Sequence, residues 1–178
     1  NEVTEAQVEG ILETIGEKGV DDADIYFQLS RSEGWALEEG IVKSGHFNID
    51  QGVGVRAVSG DKSAFAYSDD ISVTSLKTAA DAVKSIGAGG QNKAANGTLE
   101  NKVDFELRYG IIDSISSVDD AHKIALLHKL EDMAKKLDPR VIQVMASIAC
   151  THDTILVARL DGHMAGDIRP LVRMSLQV

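Results

Sequence analysis

Residues 47–67, FNIDQGVGVRAVSGDKSAFAY, limit the fold class more tightly than any other stretch. Phe47, Ile49, Val53, Val55 and Ala57 fall on alternate positions, opposed by Asn48, Asp50, Gly52, Gly54 and Arg56. A period of two sorts side chains onto the two faces of a strand, so this run predicts a strand with its first set buried. Ser59, Gly60, Asp61 and Lys62 then predict a hairpin turn. Glycine at the first central position suits type II′, where positive φ is needed. In that register Val58 faces Ser63, Arg56 faces Phe65 and Gly54 faces Tyr67, laying an aromatic ring over a strand glycine. Gly52-x-Gly54 also opens a G-x-G-x-x-G pattern with Ala57 in third place. A dinucleotide loop needs those glycines after a strand and opening a helix, and here the alternation runs straight through both. The hairpin reading therefore stands.

Around it the period switches between 3.6 and 2. Thr4 with Gln7 predicts a capping box, and Val8, Ile11, Leu12 and Ile15 make a helical stripe that Gly19 ends. Ala23, Ile25, Phe27 and Leu29 alternate as a strand. Turns are expected at Glu33–Gly34, around Gly40 and at Ser44–Gly45. Leu76, Ala79, Ala80, Val83 and Ile86 predict a second helix, capped by Asp70 or Ser72 and stopped by Gly87. AGGQNKAANGTLENK predicts a linker over 87–102, and Val103 to Tyr109 an extended segment. A third helix carries Ile124, Leu127, Leu130, Ala134 and Leu137, with Ser117 as cap, Asp119 and Asp120 at its N-terminal end and Lys135 and Lys136 at its C-terminal end. Strands are expected over 141–150 and 154–160, with Asp161–Gly162 as a hairpin turn. The return strand spans 163–169, Pro170 interrupts it, and a further strand is still running at Val178. The order is helix, strands, helix, linker, helix, strands: an α+β architecture of antiparallel meanders with helices beside them. The strand running to Val178 and the absence of an initial methionine predict a piece of a longer chain.

Charge and composition exclude some function classes. A net charge of −10 with no basic run opposes binding to a phosphate backbone, so no direct nucleic-acid contact is expected. No apolar run approaches the roughly 20 residues of a membrane helix, and the first residues lack a leader pattern. The single cysteine, Cys150, fits a reducing compartment. It sits in VMASIACTH, where a small buried hydrophobe is the simpler reading. A cytoplasmic location is expected, without a membrane partner.

Few residues suggest chemistry. Of the five histidines, only His122 and His128 share a helix, and six steps of roughly 100° leave them about 120° out of phase. One metal cannot take both from that helix. No G-x-S-x-G elbow is present. The paired carboxylates Glu38–Glu39, Asp69–Asp70 and Asp119–Asp120 diverge, being adjacent. No catalytic or metal-binding residue is therefore expected, and no cofactor in this chain. Arg56, Arg169 and Arg173 lie in strands among apolar neighbours and are the candidates for substrate binding, since a guanidinium grips a peptide carboxylate or carbonyl. The plainer reading is a solvent-facing arginine on a half-exposed sheet.

Residues 22–72, DADIYFQLSRSEGWALEEGIVKSGHFNIDQGVGVRAVSGDKSAFAYSDDIS, together with the later ILVARLDG and DIRPLVRMSLQV, resemble the TldD/PmbA family, most of all its TldD branch. The likeness runs from about Asp24 to Val178 and is poor over the linker and residues 103–116. It implies that residues 1–178 are the N-terminal domain of a longer cytoplasmic zinc metallopeptidase of peptides and unfolded segments, from a family historically called modulators of DNA gyrase. It also implies a homo- or heterodimer with a TldD/PmbA-like subunit. The family's His-Glu-x-x-x-His motif and later cysteine belong to a C-terminal domain absent from this sequence. Zinc is expected there, and Cys150 is not that ligand. The chain's partners would be its own C-terminal domain, a second subunit and an extended peptide substrate. Its share of the work would be substrate binding and assembly. A pure dimerisation module without substrate contact is the alternative, and a self-sufficient hydrolase is a third.

Overall fold

The structure, a computed structural model, describes residues 3–17, 19–87, 103–104, 109, 113 and 115–178. The linker expected over 87–102 lies, beyond Gly87, outside these residues, as does most of the segment 103–109. The elements are α1 (Glu5–Gly16), β1 (Asp22–Glu38), β2 (Ile41–Ser59), β3 (Lys62–Ser68), α2 (Val73–Lys84), β4 (Val103–Asp104), α3 (Asp120–Leu137), β5 (Met145–Arg159) and β6 (Met164–Gln177). The strand order is β3-β2-β1-β5-β6-β4. All pairings are antiparallel except β4 with β6, where Val103 meets Met164 and Asp104 meets Ala165. The α+β class and the order of elements are those expected. Two compact units divide the long strands: Asn1–Leu29, Asp50–Leu107 and Thr154–Asp167 form the first, and Ser30–Ile49, Arg108–Asp153 and Ile168–Val178 the second.

In the first unit the helical stripes behave as the sequence predicts. Val8, Ile11, Leu12 and Ile15 of α1 and Leu76, Ala79, Ala80 and Val83 of α2 bury against Ala23, Ile25, Val53, Val55 and Ala57. Such stripes match the 3.6-residue period, so one face leaves water while the other keeps it. The Thr4 N–H donates to Gln7 Oε1 at 2.9 Å. Of the two candidate caps of α2, Ser72 serves, its Oγ accepting the Ser75 N–H at 3.2 Å, while Asp70 accepts the hydroxyls of Ser72 and Ser75 at 2.6 Å each. Helix α1 stops at Gly16, before Gly19, whose φ of +74° belongs to the loop that follows.

The hairpin forms in the expected register, with Val58 opposite Ser63, Arg56 opposite Phe65 and Gly54 opposite Tyr67. Gly60 takes φ +57° while Asp61 keeps a negative φ, as type II′ requires. The ring over Gly54 is not Tyr67, its direct partner, but the diagonal Phe65. A Cβ on Gly54 would come within 2.8 Å of Phe65 Cε2. Phe47 and Ile49 depart from the expected buried face: they lie in the second unit and are 58% and 57% exposed.

The second unit revises the punctuation. No turn occurs at Glu33–Gly34 or Ser44–Gly45, because both glycines lie inside strands beneath rings. A Cβ on Gly34 would meet the His46 imidazole at 2.4 Å, and one on Gly45 the Trp35 indole at 2.5 Å. The chain reverses only at Glu39–Gly40, where φ is +50° and +72°, a turn of the I′ kind. Likewise β5 is one strand starting at Met145, not two, and β6 continues through Pro170. Pro170 lies beyond Met164 and Ala165, the residues of β6 that β4 pairs with, and a proline is tolerated where its missing N–H is not needed by a neighbouring strand. Helix α3 is capped by Asp119 rather than Ser117, its Oδ1 accepting the His122 N–H at 2.7 Å. Its buried face is Lys123, Leu127, Glu131 and Ala134, whereas Leu137 is 85% exposed. Leu127 packs with Leu37, Ile115, Ala146, Ile148 and Cys150.

Candidate functional site

The densest polar cluster is in the second unit, under α3. The alternation of β1 sends Glu33 to the same face as Leu37, while the helical period of α3 brings Lys123 one turn before Leu127. Both charged groups are buried, and the Lys123 ammonium pairs with the Glu33 carboxylate. Lys123 also donates to the Ile115 carbonyl at 2.7 Å. Burial alone would pull the lysine down, but the hydrogen bond and charge of Glu33, with the charge of Asp120, hold it above its ordinary value. Burial, aided by the negative charge of Glu33, pushes the Cys150 thiol up despite Lys123. An ammonium and a neutral thiol are poor nucleophiles, so the cluster is structural.

Asp113 accepts the Ser116 hydroxyl at 2.5 Å, the Ile115 N–H at 2.9 Å and the Arg31 guanidinium at 3.0 Å. These bonds, the serine's first, hold its carboxyl well below the usual range. His152 Nδ1 lies 3.7 Å from the same carboxylate. Glu131 accepts the Gly40 N–H at 2.9 Å and Lys135 Nζ at 2.6 Å, pinning the β1–β2 turn to the helix.

The three arginines do not form one site. Arg56 is on β2 in the first unit, half exposed, its Nε donating to Asp24 Oδ2 at 2.7 Å and its Nη2 to the same oxygen. Arg169 and Arg173 lie on β6 in the second unit, four residues apart and so on one face, both exposed. On the side of β6 away from β5, β4 pairs with Met164 and Ala165 among the described residues. The sequence reading missed the Lys123–Glu33 pair and the Glu131 tie. A charged residue at helical spacing with Leu127 is the signal that marks both.

Residues 23–87 match PmbA/TldA metallopeptidase domain 1, and residues 113–178 match the PmbA/TldA metallopeptidase central domain. The chain belongs to the PmbA/TldD family. It is 44% identical to the metalloprotease TldD homolog of Haemophilus influenzae over 94% of its own length and 35% of that protein's. Against the metalloprotease TldD homolog of Buchnera aphidicola from Schizaphis graminum it is 37% identical over its whole length, 36% of the relative. The chain therefore spans about a third of these relatives. Two crystal structures share the fold at 13% identity: candidate modulators of DNA gyrase from Thermotoga maritima, with a TM-score of 0.69, and from Bacteroides thetaiotaomicron, with 0.64. Each covers 96% of this chain, which spans 39% of each of them.

The name metallopeptidase implies a metal, and the described residues do not fit one. No three of their His, Cys, Asp or Glu side chains gather as ligands. His122 and His128 are exposed on α3, while His46 lies over Gly34.

Proposed function

We propose that this chain is the N-terminal, noncatalytic part of a TldD-like zinc metallopeptidase acting on peptides or unfolded segments, and that it contributes substrate binding and subunit assembly. Zinc and the bond-breaking groups belong, on this reading, to a C-terminal domain outside the chain. The assembly is a homo- or heterodimer of TldD/PmbA-like subunits in the cytoplasm, without direct nucleic-acid contact. The observation that supports the reading is the match of residues 23–87 and 113–178 to domain 1 and the central domain of the PmbA/TldA metallopeptidases, about a third of the length of the TldD relatives. Arg169 and Arg173 stand exposed on one face of β6 and supply charge for a peptide carboxylate or carbonyl. Arg56 lies instead on a part of β2 already paired with β3.

The test is steady-state cleavage of an unstructured peptide by the full-length protein carrying Arg169→Ala and Arg173→Ala. The account expects KM to rise about tenfold with kcat unchanged, as for lost uniform binding. An unchanged KM contradicts it. The dimerisation-only reading is favoured by one observation, the exposure of Ile41, Phe47 and Ile49 on β2, each between 57% and 59%. It predicts concentration-dependent mass in ultracentrifugation and no effect of the arginine substitutions.

A further inference from the structure

The last strand is amphipathic with its apolar face bare. Val172, Met174, Leu176 and Val178 alternate with Arg173, Ser175 and Gln177, and the apolar four are 51%, 45%, 46% and 72% exposed. The apolar surface does not end at the strand. Val178 lines a cleft of about 430 Å³ with Val141, Ile142 and Arg140, and Ile142 is 86% exposed. Leu137, which closes α3 just before this segment, is 85% exposed. An exposed apolar strand face that continues through Val178 to Ile142 marks a place where polypeptide packs.

We infer that this surface is the seat of the part of the full-length protein that lies outside the chain, packed on the apolar face of β6 and on Ile142. The inference rests on the reading that the chain is part of a longer protein. The match spans about a third of the TldD relatives, so about two thirds of each lies outside it. The two matched pieces are the family's domain 1 and central domain. A domain tethered to the same chain meets this face at an effective concentration in the millimolar range. A second copy comes only from bulk solution, and these 178 residues carry a net charge of −10, which disfavours this face as a contact between like surfaces. The arginines at 169 and 173 are on the opposite face of β6, so packing here does not cover them.

The experiment places a benzophenone photocrosslinker at position 174 or 142 of the full-length protein, with position 81 as control, where the Asp81 side chain is 72% exposed. Crosslinked peptides are then identified by mass spectrometry. The expected result is intramolecular crosslinks from 174 and 142 to peptides beyond Val178, unchanged on tenfold dilution and absent at 81. Crosslinks that vanish on dilution assign the face to a second copy and overturn the inference. Yields no higher than at 81 leave the face in solvent and overturn it too. A protein whose intact mass ends at Val178 defeats the underlying reading instead, which separates the two failures.

Discussion

At the scale of single residues, the glycines of β1 and β2 serve close packing, not turning. A methyl group on Gly45 has to displace the half-buried Trp35 ring, 2.5 Å away, which packs on the Leu37 cluster. A methyl group on Gly34 meets only the exposed His46, which swings aside. Gly45→Ala should therefore cost about 1–3 kcal/mol, the range for overpacking, and Gly34→Ala clearly less, as read by chemical denaturation. Equal costs would deny the distinction. The Lys123–Glu33 pair is tested the same way. Removing one partner of a buried pair leaves the other charge unpaired, at roughly 3–5 kcal/mol, while replacing both with apolar groups is often near neutral. Lys123→Met should thus be far more damaging than Lys123→Met with Glu33→Leu. Additive losses would show that the charges do not interact.

At the scale of elements, what was legible in the sequence was what local period and turn chemistry determine. The β2–β3 hairpin was readable to the register because Gly60 and the alternation on both sides agree, and the stripes of α1 and α2 were readable because nothing competes with them. The turns assigned to Gly34 and Gly45 failed because a glycine under a ring and a glycine in a turn look alike in one sequence; the partner ring decides, and it is 10 or more residues away. Pro170 misled for a related reason, since a proline interrupts a strand only where a neighbour needs its missing N–H. On α3 the apolar letters pointed one way and the buried face another, because Lys123 and Glu131 are satisfied beneath the helix. The true reversal, Glu39–Gly40, carries its own prediction. Glu39 holds φ +50°, which asparagine or glycine adopts with less strain. Glu39→Asn should raise stability by up to about 1 kcal/mol, measured as a higher denaturation midpoint with an unchanged slope. A loss would mean that Glu39 makes a contact worth more than the strain.

At the scale of the whole molecule, the family was legible from the 22–72 block and its later echoes, and the class of fold from the order of periods. Among the described residues no three His, Cys, Asp or Glu side chains gather as metal ligands. A metal needs at least three donors converging within a few ångströms, and here the histidines are dispersed while Cys150 is buried as a neutral thiol. The arginine candidates were readable as residue types but not as a site, since their usefulness depends on which strand edge is open. The central claim is that the chain binds and assembles while bond cleavage requires polypeptide outside it. Elemental analysis of the purified 178-residue chain, combined with a cleavage assay on an unstructured peptide with and without chelator, tests it most directly. The account predicts no stoichiometric zinc and no cleavage, with both present in the full-length protein. Zinc bound one-to-one by the 178 residues, with chelator-sensitive cleavage, would contradict it.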